Sequence, residues 1–443
     1  MIRIGRRDAL IALSATLAQL PLEAHAQRAE KEPRARAARP KAQATRGAAT
    51  GSLAIVGARL HRAGEAPLEN SVVVVEGERI VHIEDAAGFA LASGQKLLDG
   101  AGKVLTAGLV DPLTRVGVAE VELEEASRDD ALLTKKPFRP AFAVADGYNP
   151  ASTLIAIARR EGLTSVGVTP TGGLVMGQSA WADLAGDSAA VALAEKSLAL
   201  HVLFSDTALG DSGLNRASAL YRLRELFDDA RTYRANEAGF DRGATRELGV
   251  GKRDLAVVVR ALEGKLATCV HVDRASDILN VLALGKEHGL KLVLASVAEG
   301  WKAKDAIKDA GVPCIVYPLD HGPRNFAALG AREDNAAMLH AAGITIALST
   351  GESHNARKLR QVAGNAVRAG LPWPAALEAI TDAPAKIFGL GERYGAPKVG
   401  RLANLALWSG DPLELSSRVD ALLIRGRETS LRSRQTLLFE RHK

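Results

Sequence analysis

Between Asn149 and Thr350 the chain repeats one unit: an amphipathic helical stretch, a glycine, then a short apolar run. "PASTLIAIARREG" precedes "LTSVGVTPT", "RASDILNVLALGKEHG" precedes "LKLVLAS", "GWKAKDAIKDAG" precedes "VPCIVYP", and "REDNAAMLHAAG" precedes "ITIALST". Apolar spacing near 3.6 gives each helix one face to bury, while the strands are apolar along their length and need cover on both sides. Helix-strand alternation of this kind builds a parallel sheet with helices outside it. The sequence therefore predicts an α/β fold closed as a (β/α)8 TIM-like barrel over residues 108–394, with any chemistry at the C-terminal ends of the strands.

Both flanks change character. Residues 52–107 carry Val- and Ile-rich runs such as "SVVVVEGERIVHIED", and residues 395–435 return to β character with "GRLANLALWSG" and "ALLIRGRETSL". Neither flank is large enough to bury a core alone, so the two are predicted to join as one small composite β-sandwich module. A length of 443 residues suits that combination.

The N-terminus reads as an export signal. "MIRIGRRDALIALSATLAQLPLEAHAQ" has a basic start, an apolar run and Ala24-His25-Ala26, which predicts residues 1–26 as a signal peptide cleaved after Ala26 into the periplasm. Arg6-Arg7 resembles a twin-arginine signal, with a Sec signal as the alternative. Residues 27–51 hold seven basic and few large apolar side chains, a composition expected of a basic disordered linker. The formal excess of +6 sits in the first 50 residues, so a pI near 9.3 does not argue for nucleic-acid binding. No integral membrane segment is expected, because the apolar run is too short to span a bilayer. Cys269 and Cys314 lie in apolar strand-like runs, where a thiol acts as a small hydrophobe.

Several ordered motifs resemble the amidohydrolase superfamily, close to its exported imidazolonepropionase-like group. They are "VLTAGLVDPLTR" at Val104 to Arg115, Asn149-Pro150 with Gly162-Leu163-Thr164, the turn "GGLVMGQ" at Gly172 to Gln178, and "VHVD" at Val270 to Asp273. "GDP" at Gly410 to Pro412 closes the series. The resemblance implies hydrolysis of non-peptide C-N bonds in small cyclic amides by one or two divalent metals. Those metals would be held by a His pair on strand 1, a Lys or Glu on strand 4, His on strands 5 and 6, and Asp after strand 8. Metal lowers the pKa of bound water from 15.7 to about 7, worth about 12 kcal/mol toward hydroxide.

Here the implied strand 1 positions hold Leu113 and Arg115, strand 6 has no histidine, and the strand 8 position reads Thr350-Gly351. Only His271 keeps its place, so the motifs are read as degenerate and no metal site is predicted; zinc enters only through ligands that this reading does not recognise. The acidic run Ala119 to Asp130 reads as a solvated loop face, with a hard cation such as calcium as the alternative. The candidate catalytic residues are His271, Glu352 and Asp111, and the candidate substrate-binding residues are Arg115, Gly173, Gln178 and Asp273. Asp111 is expected to pair with Arg115 across the space a metal would fill. Two readings stay open: a hydrolase, or an altered or inactive barrel binding a small anionic molecule or a partner protein. A homo-oligomer is compatible with both, and no cofactor is expected.

Overall fold

In the computed structural model, residues 52–131, 136–244 and 246–443 are described; the signal and linker expected over 1–51 lie outside them. Five strands come first: β1 (Leu53–Leu60), β2 (Leu68–Glu76), β3 (Arg79–Asp85), β4 (Lys96–Asp99) and β5 (Val104–Ala107). Then follow β6 (Leu109–Thr114), β7 (Leu163–Val168), β8 (Val175–Gln178), β9 (Ala180–Asp183), β10 (Leu193–Glu195) and β11 (Ala199–Leu203). After these run β12 (Ala267–Val272), β13 (Leu292–Ser296), β14 (Cys314–Val316) and β15 (Ile346–Leu348), and the last strands are β16 (Leu405–Trp408), β17 (Val419–Ile424) and β18 (Arg427–Glu428).

The two flanks meet through hydrogen bonds. β5 pairs antiparallel with β16, Leu105 opposite Leu407, and this joins eight strands into one sheet of order β18-β17-β16-β5-β1-β2-β3. The sheet branches at β1, whose first half pairs with β4 and whose end pairs with β5. Alternation sends Leu53, Ile55, Val73, Val75, Leu105, Leu405 and Leu407 into one buried cluster. The two flanks thus form one branched, hydrogen-bonded sheet.

The middle of the chain supplies two sheets, of order β10-β9-β7-β6 and β15-β14-β13-β12-β11-β8. β6 and β7 run parallel, as do β11 through β15 in succession, and β7 and β12 to β15 are each entered from a helix. Local signals explain those helices. Ser152 accepts from Leu154 N–H at the start of helix Thr153–Arg160, and Gly289, at φ +66°, ends helix Ala275–His288 in the left-handed conformation that glycine adopts without strain. A 20-residue helix, Arg216–Ala235, with an Asn215/Ser218 capping box, lies in the long connection from β11 to β12.

One departure from an all-parallel wall matters for the site. β8 and β9 run antiparallel to β11 and β7. Only the short link Thr169–Leu174 separates β7 from β8, whereas a parallel return needs a crossover of about a dozen residues or more. The chain therefore doubles back.

Alternation along β12 to β15 separates two cores. Ala267, Cys269, Val293, Ala295, Ile315 and Ala347 pack together on the inner face with Val110 and Leu113 of β6. Val270, Val272, Leu292, Leu294, Cys314 and Leu348 pack outward with residues of the helices. The two cysteines thus face opposite cores, and both are free.

Trp408 fastens the flanking sheet to this body. It is fully buried, donates from Nε1 to Thr106 Oγ1 at 2.9 Å, and lies under the Arg360 guanidinium at 5.4 Å. Its ring occupies the space where a Cβ on Gly162 would fall 2.2 Å away. Trp408→Ala is expected to lower unfolding free energy by about 3–5 kcal/mol in urea melts; a loss below about 1 kcal/mol would show that the two parts hold together without it.

Candidate functional site

The end of β6 and the end of β15 are tied by one carboxylate. Asp111 is fully buried and accepts from Ser349 Oγ (2.5 Å), Thr350 Oγ1 (2.6 Å), Thr350 N–H (3.1 Å) and Leu113 N–H (3.3 Å). No backbone ladder joins β6 to β15, so these side-chain bonds bring the first and last staves together. Burial raises the Asp111 pKa to about 6, against the hydrogen bonds that favour its charged form.

The expected Asp111–Arg115 pair does not form. Arg115 donates from Nη2 to Glu122 Oε1 (2.6 Å) and from Nη1 to the Gly351 carbonyl (3.0 Å), and its Nε lies 3.9 Å from buried Asp130. The physical reason is saturation: four donors already surround Asp111, and Glu122 is the nearer counter-charge. Glu122 Oε1 also accepts from Ser353 N–H (2.9 Å) and Ser353 Oγ (2.6 Å). Burial opposes its charge, but those donors and Arg115 outweigh it and hold the carboxyl at about 2. The acidic run is the solvated face expected of it only at Glu124, Glu125 and Asp129, whereas Glu122 folds onto the mouth and Asp130 is buried against Arg128 and Thr171.

Glu352 lies beside this cluster. Burial raises its pKa, and the Glu122 charge raises it further, while Arg115 opposes. Asp273 is buried and receives Ser296 Oγ (2.5 Å) and Ala298 N–H (3.2 Å), with Arg324 at 3.7 Å. It holds a strained turn at the end of β13, where Ser296 and Val297 have φ of +71° and +46°, uncommon for any residue but glycine and an outlier for β-branched valine.

His271 sits on the inner face of β12, its Nε2 3.0 Å from Nδ1 of buried His201 on β11. Burial lowers the His271 pKa to about 4 and that of His201 well below its ordinary value, so both rings are neutral at physiological pH. Gly173 is at the rim with φ +74°, where a Cβ would come 2.7 Å from Arg139 Nη2. Gln178 departs from its expected place. Because β8 is reversed, it pairs with Leu200 near the start of β11, and its amide is engaged by Pro140 O (3.2 Å) and Ser197 Oγ (2.6 Å).

The structure thus gathers Asp111, Arg115, Glu352, His271 and Asp273 toward one set of strand ends, and leaves Gln178 away from them. Sequence reasoning missed Glu122, Ser349, Ser353, His201 and Tyr317. Tyr317, on the residue after β14, packs on the inner cluster, and its ring closes on Gly351, where a Cβ would lie 3.3 Å from it. Period-2 reading of "VPCIVYP" puts Tyr317 on the face of Ile315, a usable signal; the Glu122 contact spans 231 residues to Ser353 and has none.

The strand 1, strand 6 and strand 8 positions at which the resemblance implies metal ligands do not fit a metal. Leu113 is a buried hydrocarbon in the inner core, Arg115 brings a positive charge, β13 ends in the strained turn, and Thr350-Gly351 offer no carboxylate.

The α/β body carries its charged and titratable side chains at the ends of parallel strands, where α/β folds place their sites. Residues 229–429 match the family model described as "Amidohydrolase family". A crystal structure of an amidohydrolase from Thermotoga maritima MSB8 superimposes with TM-score 0.78 at 24% identity, covering 86% of this chain and 100% of that one. Molinate hydrolase superimposes with TM-score 0.54 at 15% identity, over 86% and 95% of the two chains. The amidohydrolase tasK of Hapsidospora irregularis is 24% identical over 359 residues, 72% of this chain; the chain spans about a third of that relative's length, 35%. The family model thus matches a little under half of this chain, and the solved structures share its fold.

The Asp111 clamp makes a pH prediction. The folded pKa of about 6 lies above the ordinary 3.8, so its contribution to stability is fully present below about pH 3.8 and is lost as pH rises through about 6. At 1.36 kcal/mol per unit this is worth about 3 kcal/mol. Asp111→Asn should remove that fall from the stability profile between pH 4 and 6.5 in urea melts, and an unchanged profile would show Asp111 ionised in the native state throughout.

Proposed function

We propose that this protein is an amidohydrolase-superfamily member that does not hydrolyse amides through metal held at the first and last staves. In this reading it binds a small nitrogen-bearing molecule at the mouth formed by the ends of β6, β12 and β15. The eight staves β6, β7, β8/β9 and β11 to β15 are taken as closing a (β/α)8-type barrel through the Asp111 clamp. The observation that carries the reading is Arg115: the residue standing where the resemblance implies a metal-binding histidine is held by Glu122 and the Gly351 carbonyl.

The same pairing changes the class of ligand. A free guanidinium would favour a carboxylate, but Arg115 already has a carboxylate partner, and Glu352 is crowded by burial and by Glu122. A ligand offering N–H donors or a positive charge relieves that crowding, and an anion adds to it. This supports a cyclic amide, amidine or amine as ligand rather than the anion expected from sequence. A positioned carboxyl contributes about 10² to 10⁴ in rate, far less than metal hydroxide supplies, so Glu352 alone does not restore the hydrolase. An exported location remains part of the proposal, resting on the basic start, apolar run and Ala24-His25-Ala26 of the sequence.

The experiment is a turnover assay on cyclic amides with protein supplied separately with zinc, manganese and iron. No turnover above background is expected, together with thermal stabilisation by cationic or N–H-rich ligands that Glu352→Gln weakens by about tenfold. Chelator-sensitive turnover would overturn the reading.

A further inference from the structure

We propose that His201, Cys269 and His271 form a binding site for one thiophilic metal ion, Zn(II) or Cu(I), inside the ring of strands and one layer below the mouth. Only His271 belongs to the ligand set that the family resemblance implies; the other two residues are assigned here from geometry.

The register of two parallel strands builds the site. His201 of β11 is the ladder partner of Cys269 of β12, and Leu203 is the partner of His271. Residues 269 and 271 are two apart, so the pleat sends both side chains to the inner face. One ligating atom from each of the three lies within 4.8 Å of the others, the span over which three donors can share an ion.

The three groups are also chemically prepared. Both imidazoles are desolvated and neutral, which leaves each a lone pair to donate. His201 is fully buried, and its Nε2 has no hydrogen-bond partner among the described residues, so the His201–His271 contact does not by itself satisfy the pair. Burial pushes the Cys269 thiol well up, so uptake of the ion exchanges the S–H bond for an S–metal bond and releases one proton to solvent. Two nitrogens and one sulfur suit tetrahedral zinc with a fourth position open, or three-coordinate Cu(I); they do not suit calcium or magnesium, which take oxygen. The nearby Arg115 charge does not forbid a cation, because Glu122 neutralises it. Access runs past His271, the partly exposed member of the trio.

The test uses the full chain, purified without chelator, then titrated separately with Zn(II), Cu(I) and Co(II). One ion per chain is expected, with a thiolate-to-cobalt absorption band in the near ultraviolet. Cys269→Ser should abolish the band, and His201→Gln should weaken binding by about 100-fold; Cys314→Ser, which alters the outward-facing thiol, should change neither. Should Cys269→Ser fail to fold, His201→Gln and metal-dependent protection of Cys269 from alkylation in the unaltered chain decide the matter. No band, no protection and no retained ion would overturn the site, as would a band indifferent to Cys269. The outcome separates cleanly from the preceding reading. Metal bound at one per chain without amide turnover supports both, chelator-sensitive turnover lost in Cys269→Ser keeps the site and overturns the non-hydrolytic reading, and absence of both overturns the site alone.

Discussion

A single buried carboxylate holds the first and last staves together. Asp111 stands on β6, and the groups that bind it stand on the residues just after β15, 238 and 239 positions along the chain. The remaining staves reach their neighbours by backbone ladders, but this seam depends on side chains. Burying a carboxyl is costly unless donors surround it, and four do so here. Arg115 is consequently free of Asp111 and turns to Glu122 and Gly351, and that choice sets the polarity of the mouth.

The mouth is filled by side chains that satisfy one another. A metal centre is a concentrated positive charge held by several polar side chains. Here the same space is divided among a guanidinium, carboxyls whose pKa values are pushed in opposite directions, a tyrosine ring and a buried leucine. These neighbours satisfy one another, with Glu122 held at about 2 by its donors while adjacent Glu352 is pushed the other way. Environments that drive two nearby carboxyls apart are a recurring property of functional sites. The deeper His201, Cys269 and His271 trio lies on a different layer, where the donor set is softer and the surroundings are drier.

Much of the architecture was legible. The repeats beginning at Asn149, Arg274, Gly300 and Arg332 gave helix-strand units that do run parallel, because 3.6-period faces and apolar runs are local signals. The reversal at β8 and β9 was less legible, and it cost the placement of Gln178: the motif "GGLVMGQ" was read as a rim turn, although its second half descends along β11. The Asp111–Arg115 expectation failed for a related reason. Sequence puts the two residues near one another, but which of several acids an arginine meets is decided by loops folding back, and Glu122 returns from a segment that composition alone marks as solvated.

The sequence by itself determined the α/β alternation, the β character of both flanks, and the absence of histidine at the strand 1 and strand 6 positions. Each is a matter of residue type and period, which neighbouring residues fix. Only the tertiary structure decided that Asp111 ties the end of β6 to the residues after β15, that Glu122 neutralises Arg115, and that His201 comes level with Cys269 from 68 positions away. Those outcomes depend on strand register and on competition among donors and acceptors for partners. Neither is encoded in any short window, because a buried charge is satisfied by whichever groups the fold delivers to it.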